Sequence, residues 1–154
     1  MADTFKVERS TTINAPAGTV FGFINDFHQW AHWSPWEKLD PGMDRTYSGS
    51  ASGVGAGYAW SGKKAGAGSM EILTAEPGAL VAIDLKFTRP FKAENPTRFT
   101  LTREGDATRV VWTMTGQHNL MSKLMGLFMN MDKMVGKDFE AGLASLKAVS
   151  EAKA

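Results

Sequence analysis

The spacing of hydrophobic residues changes once along this chain. In the last quarter they recur at steps of three and four. Met131, Val135, Phe139, Leu143, Leu146 and Val149 therefore fall on one helical face, while Lys133, Lys137, Glu140, Lys147 and Glu151 fall mostly on the others. This predicts an amphipathic helix within Leu120 to Lys153, about five turns or longer. Glycine in a helix interior costs about 1 kcal/mol relative to alanine, so a bend is expected near Gly126 and close packing on a strand at Gly136.

Upstream, apolar and polar residues alternate in short runs. Strands are predicted over Phe5–Ile13, Asp44–Ser48, Tyr58–Ser61, Gly68–Ala75, Leu80–Thr88, Thr97–Arg103 and Thr108–Gly116. In the fifth, Val81, Ile83, Leu85 and Phe87 share one face, with Asp84 and Lys86 on the other. Asp40-Pro41-Gly42, Gly62-Lys63-Lys64-Ala65-Gly66, Glu76-Pro77-Gly78 and Glu104-Gly105-Asp106 read as turns. Arg89 to Pro96, with two prolines, reads as a longer loop. Pro16 opens a short helix to about Asn25, with Val20, Phe21 and Ile24 on one side. Phe27 to Trp36 is read as one helical turn followed by a loop, because Pro35 disfavours helix in the residue before it. Adjacent short-looped strands imply antiparallel pairing. One long helix must bury its apolar face against them. The fold class expected is α+β: a curved seven-stranded antiparallel sheet around a C-terminal helix, with two short helices after strand one.

The length of 154 residues fits a single domain spanning 1–154. Seventeen basic and sixteen acidic residues nearly cancel, which argues against nucleic acid or an anionic membrane as partner. There is no cysteine, so disulfide and thiolate chemistry are excluded. No run of about 18 apolar residues suggests membrane insertion, and Met-Ala-Asp-Thr-Phe-Lys lacks a signal-peptide core. A cytoplasmic protein is expected. Nine Met and five Trp stand out, five of the Met lying between Met121 and Met134. Methionine fills irregular space and adapts to varied partners.

Ala15-Pro16 with Val20-Phe21, the Trp33-Ser34-Pro35-Trp36 cluster and Asp40-Pro41 resemble the START-like, Bet v 1-like (SRPBCC) superfamily. Tyr47-Ser48-Gly49, Gly53-Val54-Gly55-Ala56-Gly57-Tyr58, Trp60-Ser61-Gly62 and the ending from Met131 to Glu140 extend the likeness to a bacterial polyketide cyclase/dehydrase-like branch. The resemblance implies a helix-grip fold with a cavity between sheet and helix. It does not imply one activity, since members bind lipids, sterols, polyketides, hormones or proteins, and a minority catalyse.

Other chemical signals are thin. His28 and His32 are four apart but enclose Gln29, Trp30 and Ala31, without the glutamate or third ligand of a metal site, so no metal is expected. His118 stands alone. The glycine-rich Gly53–Gly57 lies between strands and does not match a nucleotide loop, so no cofactor is expected. No nucleophile elbow is present. Asp132 is the acid nearest the helix's apolar face and serves as the candidate proton carrier, against the ordinary role of a hydrogen-bonded structural group. Trp33, Trp36, Trp60, Met70, Phe87, Phe99, Trp112, Met114, Met131, Asp132, Val135 and Phe139 are expected to line a cavity on the order of 300–1,000 Å³. A buried indole seeks an acceptor, so Trp33, Trp36 and Trp60 could orient a ligand oxygen. Basic loops at Lys63-Lys64 and Arg89 to Lys92 would favour an acidic ligand if they flank the mouth. Three functions remain: binding of a small hydrophobic molecule, polyketide cyclase or dehydratase catalysis, and protein interaction through a surface bearing Trp36, Lys63, Lys64 and Phe91. The oligomeric state has no signature.

Overall fold

A computed structural model describes residues 4–89, 92–117 and 131–153, with backbone alone for residues 4, 117 and 131–134. The strands are β1 (Thr4–Ile13), β2 (Asp44–Gly49), β3 (Ala56–Gly62), β4 (Gly66–Glu76), β5 (Leu80–Arg89), β6 (Ala93–Glu104) and β7 (Ala107–Gln117). They form one seven-stranded sheet in the order β1-β7-β6-β5-β4-β3-β2, every pair antiparallel. Between β1 and β2, at opposite edges, lie α1 (Ala17–Ile24), a 3-10 helix (Phe27–His32) and α2 (Pro35–Leu39). The C-terminal helix α3 (Met131–Lys153) packs across β1 and touches all three short helices. The curved sheet and long helix make a helix-grip architecture, as the spacing pattern predicts.

The face of α3 follows from that pattern. Phe139, Leu143 and Leu146 are buried and Val135 and Val149 half-buried, while Lys137 and Glu140 are exposed. Two polar ties set the helix on β1. Arg9 Nε donates to Glu140 Oε2 at 2.8 Å. Near the helix end, Lys147 Nζ donates to the Thr12 carbonyl at 2.9 Å and to Glu151, which also accepts the Asn14 N–H at 2.8 Å. A Cβ on Gly136 would run into the Arg9 guanidinium, so the expected close approach to a strand occurs there. Leu120 to Asn130, with the expected bend at Gly126, lies outside the described residues, as do Phe91 and His118.

Two proline readings are corrected. Pro35 does not start a loop. It occupies the first turn of α2, where its missing N–H satisfies no helical bond anyway, with Ser34 extended before it. The stretch from Phe27 to Leu39 is thus a 3-10 helix and an α-helix rather than one turn and a loop. Nor does the Pro96 stretch stay out of the sheet: β6 begins at Ala93 and pairs Pro96 with Asp84 of β5. Pairing of β6 with β7 starts only at Thr97, so Pro96 sits where β6 has a single neighbour, the edge condition under which a strand accepts proline.

The β6–β7 ladder grades from core to open space. Leu101 pairs with Val110 deep in the core, Phe99 with Trp112 in the middle, and Thr97 with Met114 at the far end. Across the sheet, β5 passes likewise from Val81 and Ile83, buried, to Leu85 and Phe87, half-buried. The helix closes over this gradient at Gly142, where a Cβ would lie 2.9 Å from Trp112 Cζ3 and 3.0 Å from Pro35 Cδ. Gly22 in α1 has nothing within 4 Å of its Cβ position. Gly22→Ala should therefore stabilise the protein by about 0.5–1 kcal/mol. Gly142→Ala should destabilise it by about 1–3 kcal/mol despite the same propensity gain, because ring atoms cannot yield. Urea midpoints at unchanged slope measure both.

Candidate functional site

Where the ladder opens, aromatic rings bridge sheet and helix. Trp112 on β7 stacks on Phe139 of α3, with centroids 4.0 Å apart and planes within 5°. Phe99, its cross-strand partner, lies 4.7 Å away at 30°. Trp36 of α2 stands perpendicular to Trp112 at 5.8 Å, and Trp30 and Trp33 meet it edge-on at 6.4 and 5.6 Å. Beyond this cluster, between the sheet and α3, is a partly enclosed cavity of about 150 Å³. Its described apolar walls include Trp30, Trp36, Met43, Trp60, Met70, Leu85, Phe87, Trp112, Met114, Val135 and Phe139.

The far wall is held from outside. Trp60 on β3 crosses Gly68 of β4, its Cη2 atom 2.6 Å from where a Cβ would stand, and meets Phe87 edge-on at 5.7 Å. Its indole N–H donates to the Ala65 carbonyl at 3.1 Å. The β3–β4 hairpin is in turn pinned to the end of α2, because Asp40 Oδ2 accepts the Lys64 and Ala65 N–H groups at 2.9 and 3.2 Å. Those backbone bonds hold the half-buried Asp40 carboxyl below its usual range.

One buried charge pair faces the same space. Glu37, 8% exposed, accepts Arg45 Nε at 2.7 Å on one oxygen and the Tyr58 hydroxyl at 2.5 Å on the other. Arg45 Nη1 also donates to the Met43 and Pro41 carbonyls at 2.9 and 3.3 Å. Burial, then the bond to Glu37, push the Tyr58 phenol well above its ordinary value. Ser34, Thr97 and Asp138 complete the polar lining. Asp138, an exposed residue at the cavity's edge, has no hydrogen-bond or ion-pair partner among the described residues, and partial desolvation raises its carboxyl.

A family model described as polyketide cyclase / dehydrase and lipid transport matches residues 4–151. The chain belongs to that family. No curated protein matches it. Solved structures share the fold at low identity. The protein CV1439 from Chromobacterium violaceum aligns with a TM-score of 0.68 at 18% identity, over 97% of this chain and 98% of that one. The Aha1 dimer from Colwellia psychrerythraea gives 0.65 at 16%, over 96% of each chain. TTHA0849 from Thermus thermophilus gives 0.65 at 16%, over 97% and 99%.

Within this family fold, Trp36, Trp60, Met70, Phe87, Trp112, Met114, Val135 and Phe139 come together around the cavity. Trp33 and Phe99 do not line it. Both are fully buried one layer deeper, where Trp33 donates its N–H to the Phe23 carbonyl at 2.9 Å and meets Phe99 edge-on. Trp33 and Trp60 thus spend their indole donors on backbone. Trp36, expected to line the cavity and, under the protein-interaction reading, to be exposed, is a half-buried wall residue of α2. The side chains of Met131 and Asp132 lie outside the described residues. The cavity is smaller than the expected range, because rings from α2 and the 3-10 helix occupy much of the space under α3. His28 is held by Asp26 Oδ1 at 2.9 Å and stacks on Tyr47 at 4.0 Å. Among the described residues no three ligand-type side chains converge on a metal position. Sequence reasoning does not single out Glu37, Arg45, Tyr58 or Asp138 as site residues. Ser34-x-x-Glu37 has the spacing of a capping box, but Ser34 makes no cap bond and Glu37 turns inward instead.

Arg45→Met strands a buried carboxylate and should cost about 3–5 kcal/mol. Tyr58→Phe removes one bond to it and should cost about 1–3 kcal/mol. Urea unfolding at pH 7 measures both. Above about pH 10, the ordinary phenol value, the unfolded chain loses the Tyr58 proton while the folded chain keeps it. Stability is therefore full below that pH and falls as pH rises beyond it, by up to about 1.4 kcal/mol per unit. Tyr47, raised by burial, adds to the slope, and Tyr58→Phe should flatten it.

Proposed function

We propose that this protein binds a small hydrophobic molecule, a lipid or a polyketide-like aromatic, in the cytoplasm, in the cavity between its sheet and α3. The observation that carries this reading is the cavity itself: a partly enclosed space of about 150 Å³ walled by aromatic and methionine side chains, with few polar groups. An apolar void of similar volume in an engineered protein takes up benzene. The space therefore suits one ring of an aromatic or the end of an acyl chain. Met43, Met70 and Met114 give part of the wall a deformable surface. The family description, which includes lipid transport, agrees with this use.

A second reading, cyclase or dehydrase chemistry, draws support from the same description and from Asp138. An exposed carboxyl at the edge of an apolar site, raised by partial desolvation, is the described acid placed to carry a proton there. Asp138 joins Asp132, the candidate from sequence, whose side chain lies outside the described residues. Under this reading Asp138→Asn abolishes turnover of a polyketide-like substrate while leaving its binding intact. Under the first, it changes neither.

Native mass spectrometry of freshly purified protein, with solvent extraction of whatever it carries, tests the binding reading. An apolar adduct at one per chain is expected. Leu85→Trp, which fills the cavity from β5, should lower occupancy about tenfold or more while keeping the melting temperature within a few degrees, since added volume costs about 1–3 kcal/mol only where no space exists. Unchanged occupancy in a folded Leu85→Trp protein would place the adduct elsewhere and sink the reading.

A further inference from the structure

Trp112 is 1% exposed, and its indole N–H has no acceptor among the described residues. Three of the four other indoles are satisfied: Trp30 donates to the Ile24 carbonyl at 2.8 Å, Trp33 to Phe23 at 2.9 Å and Trp60 to Ala65 at 3.1 Å. A buried donor left unmade is rare and unfavourable, and buried indoles normally find a partner. Trp112 differs from Trp33 in position, because it forms part of the cavity wall.

That wall offers no unpaired cation among the described residues. Among the described residues Glu37 and Asp138 are the carboxylates lining it, and no lysine or arginine does. Arg45 is committed to Glu37 and to backbone carbonyls. Arg89, from the basic segment expected near the mouth, donates to Ser61 Oγ and the Gly62 carbonyl. An anionic head group would leave water with no described cation free to pair with it, since Glu37 already takes Arg45. A neutral oxygen would meet a donor. The Tyr58 and Thr97 hydroxyls already donate to Glu37 and to the Asn95 carbonyl. The Ser34 hydroxyl both donates and accepts, so it does not discriminate, whereas an indole N–H only donates.

We propose that the cavity selects uncharged, mainly apolar molecules bearing a carbonyl-type oxygen, and that Trp112 Nε1 donates the hydrogen bond that recognises it. This rests on the binding reading above. The N–H has no solvent contact, so the oxygen reaches it as the wall gives way. Of the rings around Trp112, Trp36 is half-buried and so the least confined, while Trp30, Trp33, Phe99 and Phe139 are buried.

Three probes of one shape test this: indane, 1-indanone and indane-1-carboxylate, titrated at pH 7 into wild type, Trp112→Phe and Ser34→Ala. Wild type should bind the ketone about tenfold more tightly than the hydrocarbon, and the carboxylate most weakly. In a proton–nitrogen spectrum the Trp112 indole signal should move downfield with 1-indanone and not with indane. Trp112→Phe should bind ketone and hydrocarbon within about twofold of each other, and Ser34→Ala should keep the wild-type preference. A still indole signal, a ketone preference that survives Trp112→Phe or vanishes in Ser34→Ala, or a carboxylate that binds tightest overturns the proposal. Should Trp112→Phe fail to fold, the wild-type indole shift decides alone. If all three probes bind equally, the donor assignment fails and the binding reading stands; if none binds, both fall.

Discussion

The contact between Trp112 and Phe139 is what makes sheet and helix one body. Its ring planes are within 5° and 4.0 Å apart, and each ring is anchored in a different element. Trp112 rides on β7 opposite Phe99, and Phe139 sits at the middle of the buried face of α3. A stack of this kind contributes about 0.5–1.5 kcal/mol beyond the area it buries. Its larger effect is geometric. Trp112 is also met by Trp30, Trp33 and Trp36, so every helical element from the 3-10 turn onward is referred to the same indole. The bare Cα of Gly142 lets α3 come down onto that ring and onto Pro35 together. Had the helix stood a side chain higher, the stack could not close.

The segment between β1 and β2 does more than connect opposite sheet edges. Its last helix, α2, carries Trp36 and Glu37 side by side, one apolar wall residue and one buried acid. It then ends on Asp40, which grips the β3–β4 hairpin through two backbone N–H groups. Glu37 reaches back to Arg45 on β2 and Tyr58 on β3. This one short helix therefore ties three strands to the site. A buried ion pair of this kind is weak evidence for net stability, since desolvation offsets its attraction. Its contribution here is position: it fixes where α2 lies, and so where Trp36 stands against Trp112.

Sequence reads the faces of this protein better than its depths. The three-and-four spacing from Val135 to Val149 gives the buried side of α3, because a helix that leaves it exposed forfeits the burial that holds it. Alternation likewise puts Phe99, Trp112 and Met114 on the inner side of the sheet. Alternation carries no coordinate along the strand, however. Phe99 lies under Trp30 and Trp33 and is sealed, while Met114, one ladder step past Trp112, escapes them and reaches the cavity. What separates them is how far the 3-10 helix extends over the sheet. That depends on Pro35 starting α2 rather than ending a helix, which proline permits equally. Glu37, Arg45 and Tyr58 are hidden for a related reason. Their meeting depends on the β2–β3 register and on α2's orientation, and Glu37 and Arg45 taken alone have the look of solvent-facing residues.

The cavity poses the remaining physical question, which is why it stays open. Wall atoms facing an unfilled, partly enclosed space of about 150 Å³ forgo the packing contacts a filled core would give them. Its walls do not close on it because each is fastened from behind. Trp60 hangs from the Ala65 carbonyl over Gly68, Tyr58 is bonded to Glu37, and Phe139 is stacked on Trp112. A longer apolar side chain at Leu85 or Val135 would fill the space by one substitution and recover the loss. The fastenings instead hold rings apart that would gain by meeting, and beside them Trp112 keeps a donor unspent among the described residues. A core built for stability alone has no use for either feature, and both fit the proposed binding of a small molecule.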